Sequence, residues 1–180
     1  MVCMGNICRS PMAEVVANHF LLARPNEVFL VKSAGTHAIR SADADLRARK
    51  VLQARGYDMP KRKARGVSDG DFERFDLILA MDATTLSELQ RRCPVQHQHK
   101  LRLFMSLVEL GSEVSPPSVP DPYYGNAQGF NNVLDMCEAG VKGLLKFDFN
   151  LGDTHRSTMR VGALSVDQIG ARGGTRTRKP

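Results

Sequence analysis

No apolar run in this chain is long enough to cross a bilayer, and no basic-then-apolar segment opens it, which argues against a membrane-spanning or secreted protein. Cysteine is sparse and scattered: Cys3, Cys8, Cys93 and Cys137 form no Cys-X-X-Cys pair. A chain of 180 residues can bury a real core without disulfide staples, so reduced thiols in a cytoplasmic protein are expected. Tryptophan is absent and there is no internal repeat, while 42% hydrophobic and 24% charged residues match a soluble globular domain. The length fits one domain and is short for two.

What is present in excess is positive charge, +6 overall. Residues 149–180 carry six basic side chains (Arg156, Arg160, Arg172, Arg176, Arg178, Lys179) against Asp153 and Asp167. The basicity therefore belongs mainly to the tail, and a nucleic-acid partner is not expected for the body. The tail has few large apolar residues and no periodicity, so it cannot offset its ordering entropy by burial. We expect a domain over 1–147 and a disordered or foreign segment over 148–180.

Strand and helix patterns alternate. Pro11 suits the first turn of a helix over 11–24, where its missing N–H goes unused. Strands are expected at 28–35, 75–82 and 100–107. Helices are expected at 43–60, closed by Gly56, at 83–93, capped by Asp82, and at 130–147, weakened by Gly140 and Gly143. Such alternation predicts an α/β fold, a four-stranded parallel sheet with helices on both faces. The fourth strand should precede Cys3, where only Met1 and Val2 stand. We expect Met1 to lie inside the first strand of a longer natural chain, so that this strand is truncated here, and the tail to come from a wrong frame or late stop.

The chemistry concentrates in "VCMGNICRSPMAE", residues 2–14. Five residues between Cys3 and Arg9 suffice to wrap a loop around one tetrahedral anion. Gly5 and Asn6 tolerate the backbone angles that turn successive N–H groups inward. A helix starts at once, so its positive end also faces the site. These fields favour the nucleophilic thiolate form of Cys3. Arg9 can grip two phosphate oxygens with its planar fork, and Ser10 can donate to the sulfur when it leaves. No metal or other cofactor is required, since donors and arginine supply the charge. His97 and His99 are a weak metal signal, and Cys93 and Cys137 read as core residues.

That string resembles the active-site signature of the low-molecular-weight protein tyrosine phosphatases. "SAGT" (33–36), "FDLILAMD" (75–82) and "DPYYGN" (121–126) are similar to the family's other blocks, in order. The resemblance covers roughly residues 2–147. It implies Cys3 as the nucleophile that becomes a cysteinyl-phosphate, Arg9 as the phosphoryl clamp and Asp121 as the acid, then base. It further implies that Tyr123 and Tyr124 wall the cleft and that Cys8 can pair with Cys3 under oxidation. Ile7 is compatible with phosphotyrosine, where phosphoarginine phosphatases carry Thr. Ile39 occupies the place at which the family usually presents an aromatic residue.

The function expected is therefore hydrolysis of phosphotyrosine proteins or small aryl phosphates by a monomer or weak homo-oligomer, with Gly5, Asn6, Ile7, Cys8, Ser10, Tyr123 and Tyr124 lining the substrate. The rivals are a phosphoarginine phosphatase or arsenate reductase of the same fold, an inactive remnant, and a basic nucleic-acid-binding protein.

Overall fold

The structure, a computed structural model, describes residues 1–24, 29–108 and 118–146. The expected tail, 148–180, lies outside the described residues. In chain order the elements are β1 (Val2–Cys3), α1 (Arg9–Leu21), β2 (Ala34–Gly35), α2 (Leu46–Ala54), α3 (Asp69–Arg74), β3 (Ile78–Ala80), α4 (Ala83–Arg92), β4 (Leu101–Leu103) and α5 (Ala127–Leu144). Two 3₁₀ turns, Val95–Lys100 and Phe104–Leu107, flank β4. No helix among the described residues is long and apolar enough to cross a membrane.

The four strands form one parallel sheet in the order β2-β1-β3-β4. β1 is only two residues long yet pairs on both sides, Val2 with Ala34 and Ala80, and Cys3 with Gly35. Strand alternation sorts the side chains between two cores. Val2, Ala34, Ile78 and Ala80 face Phe72 of α3 and Leu89 of α4. Cys3, Leu79 and Met81 face Met12 and Val16 of α1, Leu52 of α2, and Phe130 and Leu134 of α5. Helices thus cover both faces, as the alternating pattern requires. The chain leaves β1 in opposite directions to reach β2 and β3, and in open sheets that reversal opens a crevice beyond the strands' C-terminal ends.

Several boundaries differ from expectation. The strand expected over 28–35 pairs only at Ala34–Gly35, alongside Val2 and Cys3, and Val28 lies outside the described residues. The strand over 100–107 ends at Leu103 and tightens into a 3₁₀ turn beneath α5. Gly140 and Gly143 explain that contact: a Cβ on Gly140 would stand 2.3 Å from the Phe104 ring, and one on Gly143 would stand 2.0 Å from the Leu107 carbonyl oxygen. These glycines lower helix propensity, but they let α5 lie directly on the turn. α5 also begins earlier than expected, because Asn126 caps it by accepting from the Gly129 N–H. The short α3 is an addition to the expected elements, although Asp71 accepting from the Ser68 N–H is a legible capping pattern. Gly56 does close α2's turn with a left-handed φ of 85°.

Candidate active site

The segment after β1 folds back over the sheet end and enters α1 at Arg9. Cys8 occupies the cap position and offers no side-chain cap to the helix, so the first amides of α1 stay free for an anion in the loop. Cys3 Sγ lies 3.0 Å from Ser10 Oγ and accepts from the Asn6 N–H at 3.3 Å. Cys3 and Ser10 are both buried. Asn6 takes the left-handed conformation, φ 56°, that turns its amide inward. Gly5 does not: its φ is not in that region, and a Cβ there would make only an ordinary 3.5 Å contact with Ile7. The expectation that Gly5 supplies an unusual backbone angle is corrected accordingly; Asn6 alone bears it in this loop.

A polar network fixes that strained residue. Asn6 Nδ2 donates to Ser10 Oγ at 3.0 Å and to Ser33 Oγ at 2.8 Å, while its Oδ1 accepts from the Arg65 N–H at 3.0 Å. Ser33 Oγ in turn donates to Glu14 at 2.7 Å, and Glu14 pairs with Arg62. Gly35 closes the loop from the side, since a Cβ there would sit 2.5 Å from the Met4 carbonyl oxygen and 3.0 Å from the Asn6 nitrogen. Thr36 and His37 donate their N–H groups to the Cys3 and Met4 carbonyls.

Arg9, 5% exposed, is wedged between two carboxylates. Its Nη1 donates to Asp82 and, at 3.1 Å, to the Val119 carbonyl, while Nη2 donates to Asp121 Oδ2 at 2.7 Å. A guanidinium has five N–H donors. Three are committed among the described residues, which leaves one on Nε and one on Nη2 for a further anion. Asp82 also caps α4 through the Thr85 N–H at 2.6 Å. Burial pushes its carboxyl up, but the Thr85 bonds and Arg9 outweigh this and hold it below the ordinary range. Asp121 is 41% exposed and accepts from the Tyr123 N–H at 3.1 Å.

The site-forming residues predicted from sequence therefore converge in part. Cys3, Asn6 and Ser10 form one hydrogen-bonded set, and Arg9, next to Ser10 in the chain, joins Asp121 in a second. Tyr123 and Tyr124 stack edge-to-face with ring centres 5.1 Å apart, and Tyr124 is 95% exposed. Ile7 packs against the core beside α1, and its carbonyl accepts from the Asp45 N–H at 2.9 Å. Ile39 is exposed. Cys8 is buried, and burial, reinforced by the Asp45 and Asp121 carboxylates, pushes its thiol up to about 12. Sequence reasoning misses Glu14, Ser33, Arg47 and Arg62. Ser33 opens the "SAGT" block, whereas Arg62 lies in a polar stretch with no distinguishing pattern. Asp82 caps its helix as expected and is a partner of Arg9 as well.

A family profile described as low molecular weight phosphotyrosine protein phosphatase matches residues 1–153. Over 147 residues the chain is 38% identical to a putative low molecular weight protein-tyrosine-phosphatase of Synechocystis, covering 80% of this chain and 91% of that one. It is 40% identical over 153 residues to the low molecular weight protein-tyrosine-phosphatase of Streptomyces coelicolor, covering 80% and 88%. The fold superposes on a protein tyrosine phosphatase from Entamoeba histolytica, with Hepes in its active site, at a TM-score of 0.73 and 38% identity, covering 81% of this chain and 92% of that one.

Proposed function

The chain belongs to the low molecular weight phosphotyrosine protein phosphatase family, and from that premise we propose that it hydrolyses phosphotyrosine in two displacements at Cys3. The observation that carries this reading is that Cys3 Sγ meets Ser10 Oγ and the Asn6 N–H while Arg9, next to Ser10 in the chain, holds Asp121.

In the first displacement the Cys3 thiolate attacks phosphorus, an S–P bond forms, and the bond from phosphorus to the tyrosine oxygen breaks. Asp121 gives its proton to the departing oxygen. In the second, water attacks the cysteinyl-phosphate and loses a proton to the Asp121 carboxylate. The S–P bond breaks, and sulfur leaves as a thiolate that receives a hydrogen bond from Ser10. The Nε and Nη2 donors of Arg9 and the loop amides stabilise the transferring phosphoryl charge; such preorganised donors are worth roughly 3–4 kcal/mol each in transition-state stabilisation.

Phosphate release from a phosphotyrosine peptide by the full chain, set beside phosphoarginine and arsenate, tests this. Turnover of phosphotyrosine that vanishes in Cys3→Ser supports the reading. Preference for phosphoarginine or reduction of arsenate would replace it, and no turnover of any of the three would leave an inactive relative.

A further inference from the structure

Arg47 stands in the first turn of α2, where a positive charge opposes the helix dipole. Its contacts point away from α2 and towards the site. The guanidinium folds back on the cap residue Asp45, with Nε donating to Oδ1 at 3.1 Å and Nη2 to Oδ2 at 2.7 Å. Its Nη1 reaches the Gly125 carbonyl at 3.4 Å, beyond Asp121 in the same loop. Its Cζ lies over two rings, 4.7 Å from the centre of Phe130 in α5 and 5.5 Å from that of Tyr123, within the range of cation–π attraction.

Two of those partners, Asp45 and Tyr123, lead to the reacting groups. The Asp45 N–H bonds the Ile7 carbonyl in the phosphate loop. The Tyr123 N–H bonds Asp121 Oδ1. One guanidinium thus joins the loop that carries Cys3 to the loop that carries Asp121. Asp121 itself is 41% exposed, on a segment with no regular structure between Val119 and Asn126, and among the described residues its other oxygen is tied only to Arg9.

We propose that Arg47 is a positioning residue for proton transfer: it sets the distance between the acid loop and the phosphate loop, and so keeps Asp121 within reach of the leaving oxygen. This rests on the proposed phosphatase reading, with Asp121 as the acid. A lysine could meet Asp45 as a point charge, but it could not keep the bidentate fork while its charge also lies over both rings.

The test is the dependence of kcat/KM on leaving group, since that constant covers the passage from free enzyme to the broken P–O bond. Aryl phosphates are compared in wild type, Arg47→Ala, Arg47→Lys, Asp121→Asn and the Arg47→Ala/Asp121→Asn double variant. Asp121→Asn should lose about 100-fold or more on phenyl phosphate, in line with general-acid contributions, and far less on an aryl phosphate whose phenol is strongly acidic. Arg47→Ala should copy that pattern at about 10-fold, with Arg47→Lys between it and wild type, and should add nothing in the Asp121→Asn background. An equal loss on every leaving group, or an additive loss in the double variant, would make Arg47 a general structural residue and overturn the inference. If Asp121→Asn itself shows no leaving-group dependence, the acid assignment fails first. Thermal melts of each variant identify any that are not folded, and phosphate affinity then reports loop integrity independently of the acid.

Discussion

Arg9 Nη2 and Asp121 Oδ2 stand 2.7 Å apart, so the group proposed to bind the phosphoryl oxygens also holds the group proposed to move the proton. Nη2 has a second N–H, and one nitrogen can serve both at once. The clamp and the acid are therefore a single mechanical unit, anchored on its far side by Asp82 and the Val119 carbonyl. Arg9→Lys should consequently cost more than lost phosphate affinity. A fall of at least about 100-fold in kcat/KM is expected, the scale of losing a preorganised donor, with kcat falling as well as phosphate affinity. Initial rates over substrate concentration, together with phosphate inhibition constants, measure both. A change confined to KM would separate the two roles.

Gly35 has no room for a side chain. Alanine there would drive a methyl group into the Met4 carbonyl and the Asn6 amide, and backbone atoms cannot yield as a flexible side chain can. We expect Gly35→Ala to destabilise the fold by about 2 kcal/mol, an overpacking cost, and to weaken phosphate binding more than that loss explains. Denaturant melts with and without phosphate check both effects, and a variant with normal phosphate protection would contradict the steric argument.

Asp82 makes stability depend on acid in a definite direction. Its folded-state pKa lies below the ordinary value of 3.8, so its contribution is complete above that pH and lost as pH falls through the lower folded value. Asp82→Asn keeps a capping oxygen but removes the charge facing Arg9. The variant should be less stable by about 1–2 kcal/mol at neutral pH, the scale of a charge-assisted hydrogen bond. That deficit should shrink as pH drops below about 3.8 towards acid unfolding. Urea melts at several pH values test this; a deficit independent of pH would place the effect elsewhere than in the ion pair.

Thiol chemistry should be confined to one cysteine. Burial pushes Cys8 up to about 12, and it raises Cys93 and Cys137 as well. All three therefore hold less thiolate than a free cysteine does at a given pH, and the thiolate is the nucleophile. Iodoacetate labelling read by peptide mass spectrometry should mark Cys3 and be slowed by inorganic phosphate. Comparable labelling of Cys8 would contradict the account.

Much of this arrangement is legible because the loop from Cys3 to Ser10 is local: a nucleophile, an amide-turning Asn6, a clamp and a helix start lie within eight consecutive residues. The apolar run at 75–82 likewise reads as a buried strand, and strand alternation alone then separates Leu79 and Met81 from Ile78 and Ala80. What the sequence hides is long-range. Ser33, Glu14 and Arg62 meet Asn6 only through the sheet order, and their spacing along the chain carries no period. Gly140 and Gly143 look like flaws in a helix, because the Phe104–Leu107 turn that needs them lies far away in sequence. Arg47 looks like an ordinary helix charge for the same reason.

In the proposed reaction Cys3 carries the phosphoryl group between the two displacements. Rapid acid quench of the full chain during phosphotyrosine turnover, followed by peptide mass spectrometry, observes this directly. One phosphoryl group is expected on the peptide containing Cys3, accumulating further in Asp121→Asn with a substrate whose leaving group needs no acid, and absent from Cys3→Ser. A phosphoryl group on any other side chain, or undiminished turnover by Cys3→Ser, would contradict it.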